Sequence, residues 1–186
     1  MAREAVSPTK AEGSWIPEFR AKYEAWLPGA LPLIRAHQYA EAFKAYPFPV
    51  FAGAPWTPLA TPLERARLGV VTTAGVYRRG IDPPFDDTEE GDPRLLALPA
   101  DVALDALDVA HSHIPQELAR ADMNVVLPLA HLRDLVRAGK LGSLAPRVFS
   151  VVGYRTRAHD VAQETAPRIA AALAEDGVTL ALVVPV

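Results

Sequence analysis

From Trp15 onward the hydrophobic positions recur at helical spacing: Trp15, Phe19, Tyr23, Trp26 and Leu27 share one side of a 3.6-residue helix. The pattern predicts an amphipathic helix from about Pro17 to Trp26, stopped by Pro28-Gly29, because proline lacks the N–H that continues a helix. A second helix is expected over Pro32 to Ala45. Prolines 47, 49, 55, 58 and 62 then enforce an irregular, extended connection. Residues 1–14 are polar, lack periodicity and read as a flexible tail, so residues 15–62 form a helical, proline-rich arm expected to pack on the core.

Over residues 63–186 the pattern changes to short apolar runs alternating with helices. Leu68 to Thr72 reads as a strand, Leu95 to Leu98 as a short one at an edge, and Leu107 to His111 and Val125 to Leu127 as two more, with one or two helical turns from Gln116 to Ala121 between them. A helix from Ala130 to Ala138 closes at Gly139. A strand over Val148 to Val152, a long helix from Ala158 to Glu175 closed by Asp176-Gly177, and a last strand over Val178 to Val184 follow. Runs such as VVTT, NVVLP and TLALVVPV lack polar alternation, as strands covered on both faces do. The fold class is therefore α/β: an open, mainly parallel sheet with helices on both faces, beside the N-terminal arm. Ligands of such sheets bind outside the strand carboxyl ends, where Thr72, Thr73, His111 and Tyr154 fall.

Composition narrows the partners. Of 186 residues, 50% are hydrophobic, and 19 basic against 22 acidic side chains give a net charge of −3, with no broad basic field for nucleic acid. No apolar run approaches the roughly 20 residues of a membrane helix, and the start lacks the apolar centre of a secretory signal, so a cytoplasmic location is expected. Cysteine is absent, which removes disulfides, thiolate metal sites and thiol catalysis from these residues. The tryptophans, at 15, 26 and 56, all lie in the arm. They fit a clamp packed on the core or an aromatic interface for a partner subunit or a second copy.

The candidate chemistry concentrates between Leu107 and Pro128. On a strand with period two, His111 and His113 would point to one face about 7 Å apart at Cα. They can serve as proton donor and orienter, since imidazole titrates near neutrality, or simply be hydrogen-bonded at a strand end. Joined by Asp122 they make a two-His-one-carboxylate set that a divalent transition metal, zinc or ferrous iron, would favour. Asp122 and Asn124 are expected at the mouth of the next strand. Thr72-Thr73-Ala74-Gly75 offers hydroxyls and backbone N–H groups to a ligand, or a simple capped turn. The acidic loop from Asp82 to Asp92 is expected as a lid anchored by Phe85, bringing Asp82 or Asp92 near the His pair. His37, His131 and His159 read as helix-surface residues.

Several of these stretches carry a family likeness. VVTTAGVY, the PPFD of the acidic loop, GDPR, the AHSHIP to ADMNVVLPLAHLRDLVRAGKLGSLAP block and VFSVVGY together resemble the glycine/sarcosine/betaine reductase selenoprotein B family, which includes the related D-proline reductase subunit. The likeness covers about Thr61 to Val186. It implies a reductase-family domain that acts on a small amine or amino-acid-like substrate at the strand ends. In that family a Cys-Pro-x-Cys or selenocysteine-Pro-x-Cys motif follows the final strand and supplies the attacking selenolate or thiolate. This sequence offers no position to which that nucleophile could be carried. His111, His113 and Asp122 are the candidate catalytic groups, and Thr72, Thr73, Asn124 and Tyr154 the candidate substrate contacts. The alternatives are a non-catalytic binding or scaffold subunit of a reductase-like complex, whose partner brings the nucleophile, and a metal-dependent enzyme using His111, His113 and Asp122.

Overall fold

The computed structural model describes residues 15–51 and 57–186; the expected tail and Trp56 lie outside the described residues. Two compact units form, one within residues 1–55 joined by Arg157–His159, the other within residues 56–156 and 160–186.

In the first unit, α1 (Trp15–Arg35) runs straight through Pro28 and Pro32 rather than stopping at Pro28-Gly29. Phe19, Tyr23, Trp26, Ala30 and Ile34 make one buried stripe at three- and four-residue steps. Burial on both sides of the prolines outweighs the hydrogen bonds they remove, which is how packing overrides propensity. The expected second helix is thereby split. Its first residues belong to α1, a turn follows in which His37 takes a φ of 56°, and only α2 (Tyr39–Phe43) remains separate. The Trp26 indole N–H donates to the Ala42 carbonyl at 2.8 Å and ties the two helices together. The short helix α5 (Ala158–Asp160) contributes His159 to this cluster, 5.7 Å from the ring of Phe19 and 5.9 Å from that of Tyr23. His159 is thus buried rather than on a helix surface, whereas His37 and His131 are exposed as expected.

The second unit is built on a four-stranded sheet in the order β3-β5-β1-β6. β1 (Arg67–Thr72) lies parallel to both β5 (Ser143–Ser150) and β6 (Leu180–Val184), with Thr72 opposite Ser150 and Val184. β3 (Leu96–Pro99) adds antiparallel to β5 at the edge. Leu68 and Val70 enter a core with Leu129 and Leu132 of α4 (Leu129–Arg137). Gly69 faces the opposite way, and a Cβ there would sit 2.4 Å from Leu173 of α6 (Ala166–Glu175). Helices therefore cover both faces of a mainly parallel sheet. No helix among the described residues is long and apolar enough to cross a membrane.

Two expected strands depart from this plan. β4 (Leu107–Val109) is short and pairs antiparallel with β2 (Val76–Arg78) in a separate ribbon, Val76 opposite Val109. Val125 to Leu127 is not a strand: Met123–Val125 is one 3-10 turn, begun by Asp122, and Val126 and Leu127 drop into the core. An apolar run without periodicity fits any wholly buried segment, and a hydrogen bond from Thr72 Oγ1 to the Val126 carbonyl, 2.7 Å long, secures this one against the sheet.

Candidate ligand-binding cavity

The His pair sits in a turn, not on a strand. Ala110 N–H donates to the Gly75 carbonyl at 3.0 Å, and Gly75 N–H donates to the Val151 carbonyl at 2.9 Å, so the end of β4 hangs from the main sheet. Gly75 has a φ of 65°, and a Cβ there would fall 2.6 Å from the Ala110 oxygen, so only glycine allows this approach. The chain then reverses: Ile114 N–H donates to the His111 carbonyl at 3.3 Å, with Ser112 and His113 between. Period two no longer applies. The imidazoles meet edge to face instead, with centroids 5.8 Å apart and planes at 89°. His113 lies against the ring of Tyr154, centroids 4.0 Å apart, and Gln116 Nε2 donates to the His111 carbonyl at 3.1 Å.

These side chains line a cavity of about 330 Å³, together with Tyr77, Phe85, Asp86 and Asp87. His111 is buried, 4% exposed, and its pKa is lowered from the ordinary value, first by burial and then by the charge of His113. Its Nδ1 accepts the backbone N–H of His113 at 3.3 Å, while its Nε2 is buried without a partner among the described residues. Ser112 Oγ donates to the Asp87 carboxylate at 2.8 Å, which ties the acidic loop to the His turn.

The acidic loop approaches the turn, but through different carboxylates from those expected. Asp82 is held by Arg78, whose side chain donates to both its oxygens at 2.7 and 2.8 Å, and its pKa is lowered chiefly by that contact. Asp92 is buried. It accepts the backbone N–H groups of Asp86 at 2.6 Å and Arg94 at 2.8 Å, besides the Arg94 guanidinium. Burial works to raise its pKa, but the arginine and the N–H groups prevail and hold the carboxyl below the usual range. Both are structural ties that shape the loop. Phe85 is its buried anchor, under the Arg94 guanidinium at 5.2 Å. Gly91, with a φ of 85°, lies so close to residue 154 that a Cβ would come 1.8 Å from the Tyr154 oxygen. Asp86, paired with Arg94 at 3.5 Å, and Asp87, which accepts the Ser112 hydroxyl, are the carboxylates that reach the cavity.

Of the other expected contacts, only Tyr154 is there. Thr72 is fully buried, its hydroxyl donating to Val126 and accepting the Ala74 N–H at 3.2 Å. Thr73 Oγ1 accepts the Val186 N–H at 2.8 Å. Asn124 donates through Nδ2 to Asp122 at 2.9 Å and accepts the Ala130 N–H at 3.0 Å. Asp122 is exposed, lines a different cavity with Arg79 and Asp108, and has its pKa lowered by the backbone and side chain of Asn124. It caps the 3-10 turn. Because that turn replaces the strand, Asp122 is not carried to the His pair, and among the described residues no group of three or more His, Asp or Glu is placed to hold a metal ion. Tyr77, Asp87, Ser112 and Gln116 join the site without having been singled out. Ser112 stood between the two histidines in plain view; its partner 25 residues earlier could be found only by folding.

Three comparisons bear on what such a cavity serves. The model of the glycine/sarcosine/betaine reductase selenoprotein B family matches residues 33–185. The chain is 29% identical over 127 residues to the D-proline reductase subunit gamma of Acetoanaerobium sticklandii, covering 68% of this chain and 51% of that protein. It is 25% identical over 169 residues to the glycine reductase complex component B subunit gamma of Carboxydothermus hydrogenoformans, covering 88% and 39%. It is 26% identical over 162 residues to the sarcosine reductase complex component B subunit beta of Peptoclostridium acidaminophilum, covering 82% and 36%. The chain thus spans about half, or less, of the length of these relatives. No solved structure matches.

Proposed function

The chain belongs to the glycine/sarcosine/betaine reductase selenoprotein B family, and from that premise we propose that it is the substrate-binding part of a reductase-complex component, taking a small amine or amino-acid-like molecule into the cavity at His111 and His113. The observation that carries this reading is the cavity lining. Asp86 and Asp87 supply negative charge, the rings of Tyr77 and Tyr154 supply π-faces that attract a cation, and the imidazoles supply polar edges at the same wall. An ammonium group suits the first two and the polar remainder of an amino acid suits the third. His113, half-buried against the Tyr154 ring, is the imidazole of the pair with more access to solvent. With no cysteine among its 186 residues, the chain supplies no thiolate, so a reductive step would draw its nucleophile from outside these residues.

Calorimetric titration with glycine, sarcosine and D-proline tests the reading, since these are the compounds in the relatives' names. One of them should bind, and the double variant His111→Ala/His113→Ala should weaken it by about tenfold or more, as loss of two polar contacts would, in protein that circular dichroism shows to be folded at the temperature of the titration. Equal binding by the double variant sinks the assignment.

A second reading, that of a subunit docking a partner polypeptide, is favoured by the surface of the first unit. Phe48, Val50 and Phe51 are 65%, 87% and 62% exposed, beside a groove lined by Trp15 and Pro49. Light scattering over a range of concentrations, on the parent and on a Phe48→Ser/Val50→Ser/Phe51→Ser variant, should show self-association lost in the variant. A parent that is monomeric at every concentration counts against a second copy as the partner.

A further inference from the structure

We propose that His111 is held as a neutral ring with its proton on Nε2, and that this N–H donates to an acceptor oxygen, carboxylate or carbonyl, of the molecule bound in the cavity. This rests on the cavity being the ligand site and assigns within it the end that reads oxygen. The argument begins with the turn. His113 N–H points to His111 Nδ1 at 3.3 Å, so that nitrogen presents its lone pair and a neutral ring must carry its hydrogen on Nε2. The backbone beneath the ring is held, because the His111 carbonyl accepts both Ile114 N–H and Gln116 Nε2, and the ring itself meets the His113 N–H and the His113 imidazole. Nε2 is then a donor enclosed in a residue 4% exposed, with no hydrogen-bond partner among the described residues. Buried donors are almost always paired, and an unpaired one beside a cavity marks where a ligand atom belongs.

Charge agrees with the geometry. Ionising the ring would add a proton at Nδ1, against the His113 N–H that points there, and would place a cation in a buried position next to a second imidazole. Burial and His113 both oppose it, and they outweigh the two contributions that favour the charged ring, a hydrogen bond with the residue's own backbone and then the charge of Asp87. A neutral Nε2–H can donate to an oxygen and cannot accept from an ammonium. The amine end of the ligand is accordingly left to Asp87 and the tyrosine rings; Arg120, the cation in the lining, is already engaged by Asp108 and Gln116 at 2.8 Å, so the site would orient an amino acid with its carboxylate toward His111.

The test reads the nitrogen directly. Long-range 1H–15N spectra of the histidine-labelled protein at pH 7.5 should show His111 protonated at Nε2 alone. Sodium acetate and glycine, which carry a carboxylate, should shift that resonance; methylamine, which does not, should leave it in place. Among variants, His111→Gln, whose amide places an N–H near the same spot, should keep glycine affinity within about threefold, whereas His111→Leu should lose about tenfold or more, the range for a hydrogen bond to a charged group. The Leu variant also loses the acceptor of the His113 N–H, so its melt is no guide to the assignment, and the difference in glycine affinity between the Gln and Leu variants is the readout that a merely structural histidine would not produce. A ring protonated at Nδ1, an Nε2 resonance unmoved by acetate and glycine, or equal affinities in the Gln and Leu variants would each overturn the proposal. If glycine binds and perturbs only His113, the cavity reading survives and this assignment fails; if neither carboxylate is bound at all, both fail together.

Discussion

Two turns of the second unit leave strands and carry polar side chains, and they differ in what those side chains have left to offer. In Thr72-Thr73-Ala74-Gly75 the hydroxyls are spent within the fold: Thr72 on Val126 and Ala74, Thr73 on Val186. In His111-Ser112-His113 the His111 carbonyl and the His113 N–H are paired, but His111 Nε2 has no partner among the described residues, and the side chains line a cavity. The first turn converts polarity into rigidity, and the second stands on that rigidity, since Gly75 carries Ala110 directly. What separates a structural polar cluster from a ligand site here is therefore the satisfaction of its atoms, not their chemical type.

The largest effect should come from breaking the support rather than the site. Gly91→Ala forces a Cβ to 1.8 Å from the Tyr154 oxygen at a φ of 85°, and the loop must shift. We expect a loss of about 3 kcal/mol in chemical denaturation, the upper range for overpacking, accompanied by weaker ligand binding. Gly80→Ala is the control. It has a φ of 71° and nothing within 4 Å, so only the left-handed backbone penalty of roughly 1–2 kcal/mol applies. Equal losses in the two variants would show that the close approach to Tyr154 does not matter.

Next comes Thr72→Val, nearly isosteric but without the hydroxyl. It leaves the Val126 carbonyl and the Ala74 N–H unpaired in the core, which should cost about 2 kcal/mol in urea unfolding. Ligand affinity of the folded protein should not change, because Thr72 lies outside the cavity wall. A stable variant that no longer binds would return Thr72 to the site.

The difference between the two turns also explains what the sequence could show. Alternation of apolar runs and helices revealed the sheet, its parallel character and the strands at Leu68 and Val148, because those patterns follow from local burial alone. The two histidines stood out by their side-chain type and nearness in sequence, not by the strand period expected to pair them, since they meet edge to face across a turn. Val125 to Leu127 was misread because a core-threading segment and a central strand bury the same residues, and only the partner of the Val126 carbonyl tells them apart. Asp122 and Asn124 look like site residues in any list of side chains, yet each is consumed by its neighbour two residues away or by Ala130. The pairing of Arg94 with both Asp92 and Asp86, which leaves Asp87 to meet Ser112 at the cavity, is set by loop conformation, and no periodicity encodes it.

Acidification sharpens the comparison, since the first turn carries no titratable group. His111 has a lowered pKa in the fold, so the unfolded chain binds a proton there first, near pH 6.5. Stability should be full above that pH and decline as pH falls below it, until the folded ring is protonated as well. Asp92, also lowered, is charged in the fold when its unfolded counterpart begins to protonate near pH 4, so its contribution is lost in a second, more acidic window. Melting temperatures between pH 7.5 and 5.5 should fall less in His111→Gln than in the parent. Parallel slopes for the two proteins over that interval would mean that His111 is not the group responsible.

The smallest effect should be that of Ser112→Ala. The Ser112 to Asp87 hydrogen bond joins the His turn to the acidic loop, but both residues are exposed, and water replaces such a contact readily. Stability should change by less than about 0.5 kcal/mol, as for most surface substitutions. Binding is the more telling readout. Asp87 released from Ser112 regains both oxygens for an ammonium group, yet the loop then holds it less firmly over the cavity, and these consequences oppose each other. Affinity for glycine should stay within about threefold of the parent, less than about 0.7 kcal/mol, whereas Asp87→Asn, which removes the charge itself, should weaken binding further in the same titration. If Ser112→Ala costs more affinity than Asp87→Asn, the serine hydroxyl touches the ligand directly, and the turn offers a donor besides His111.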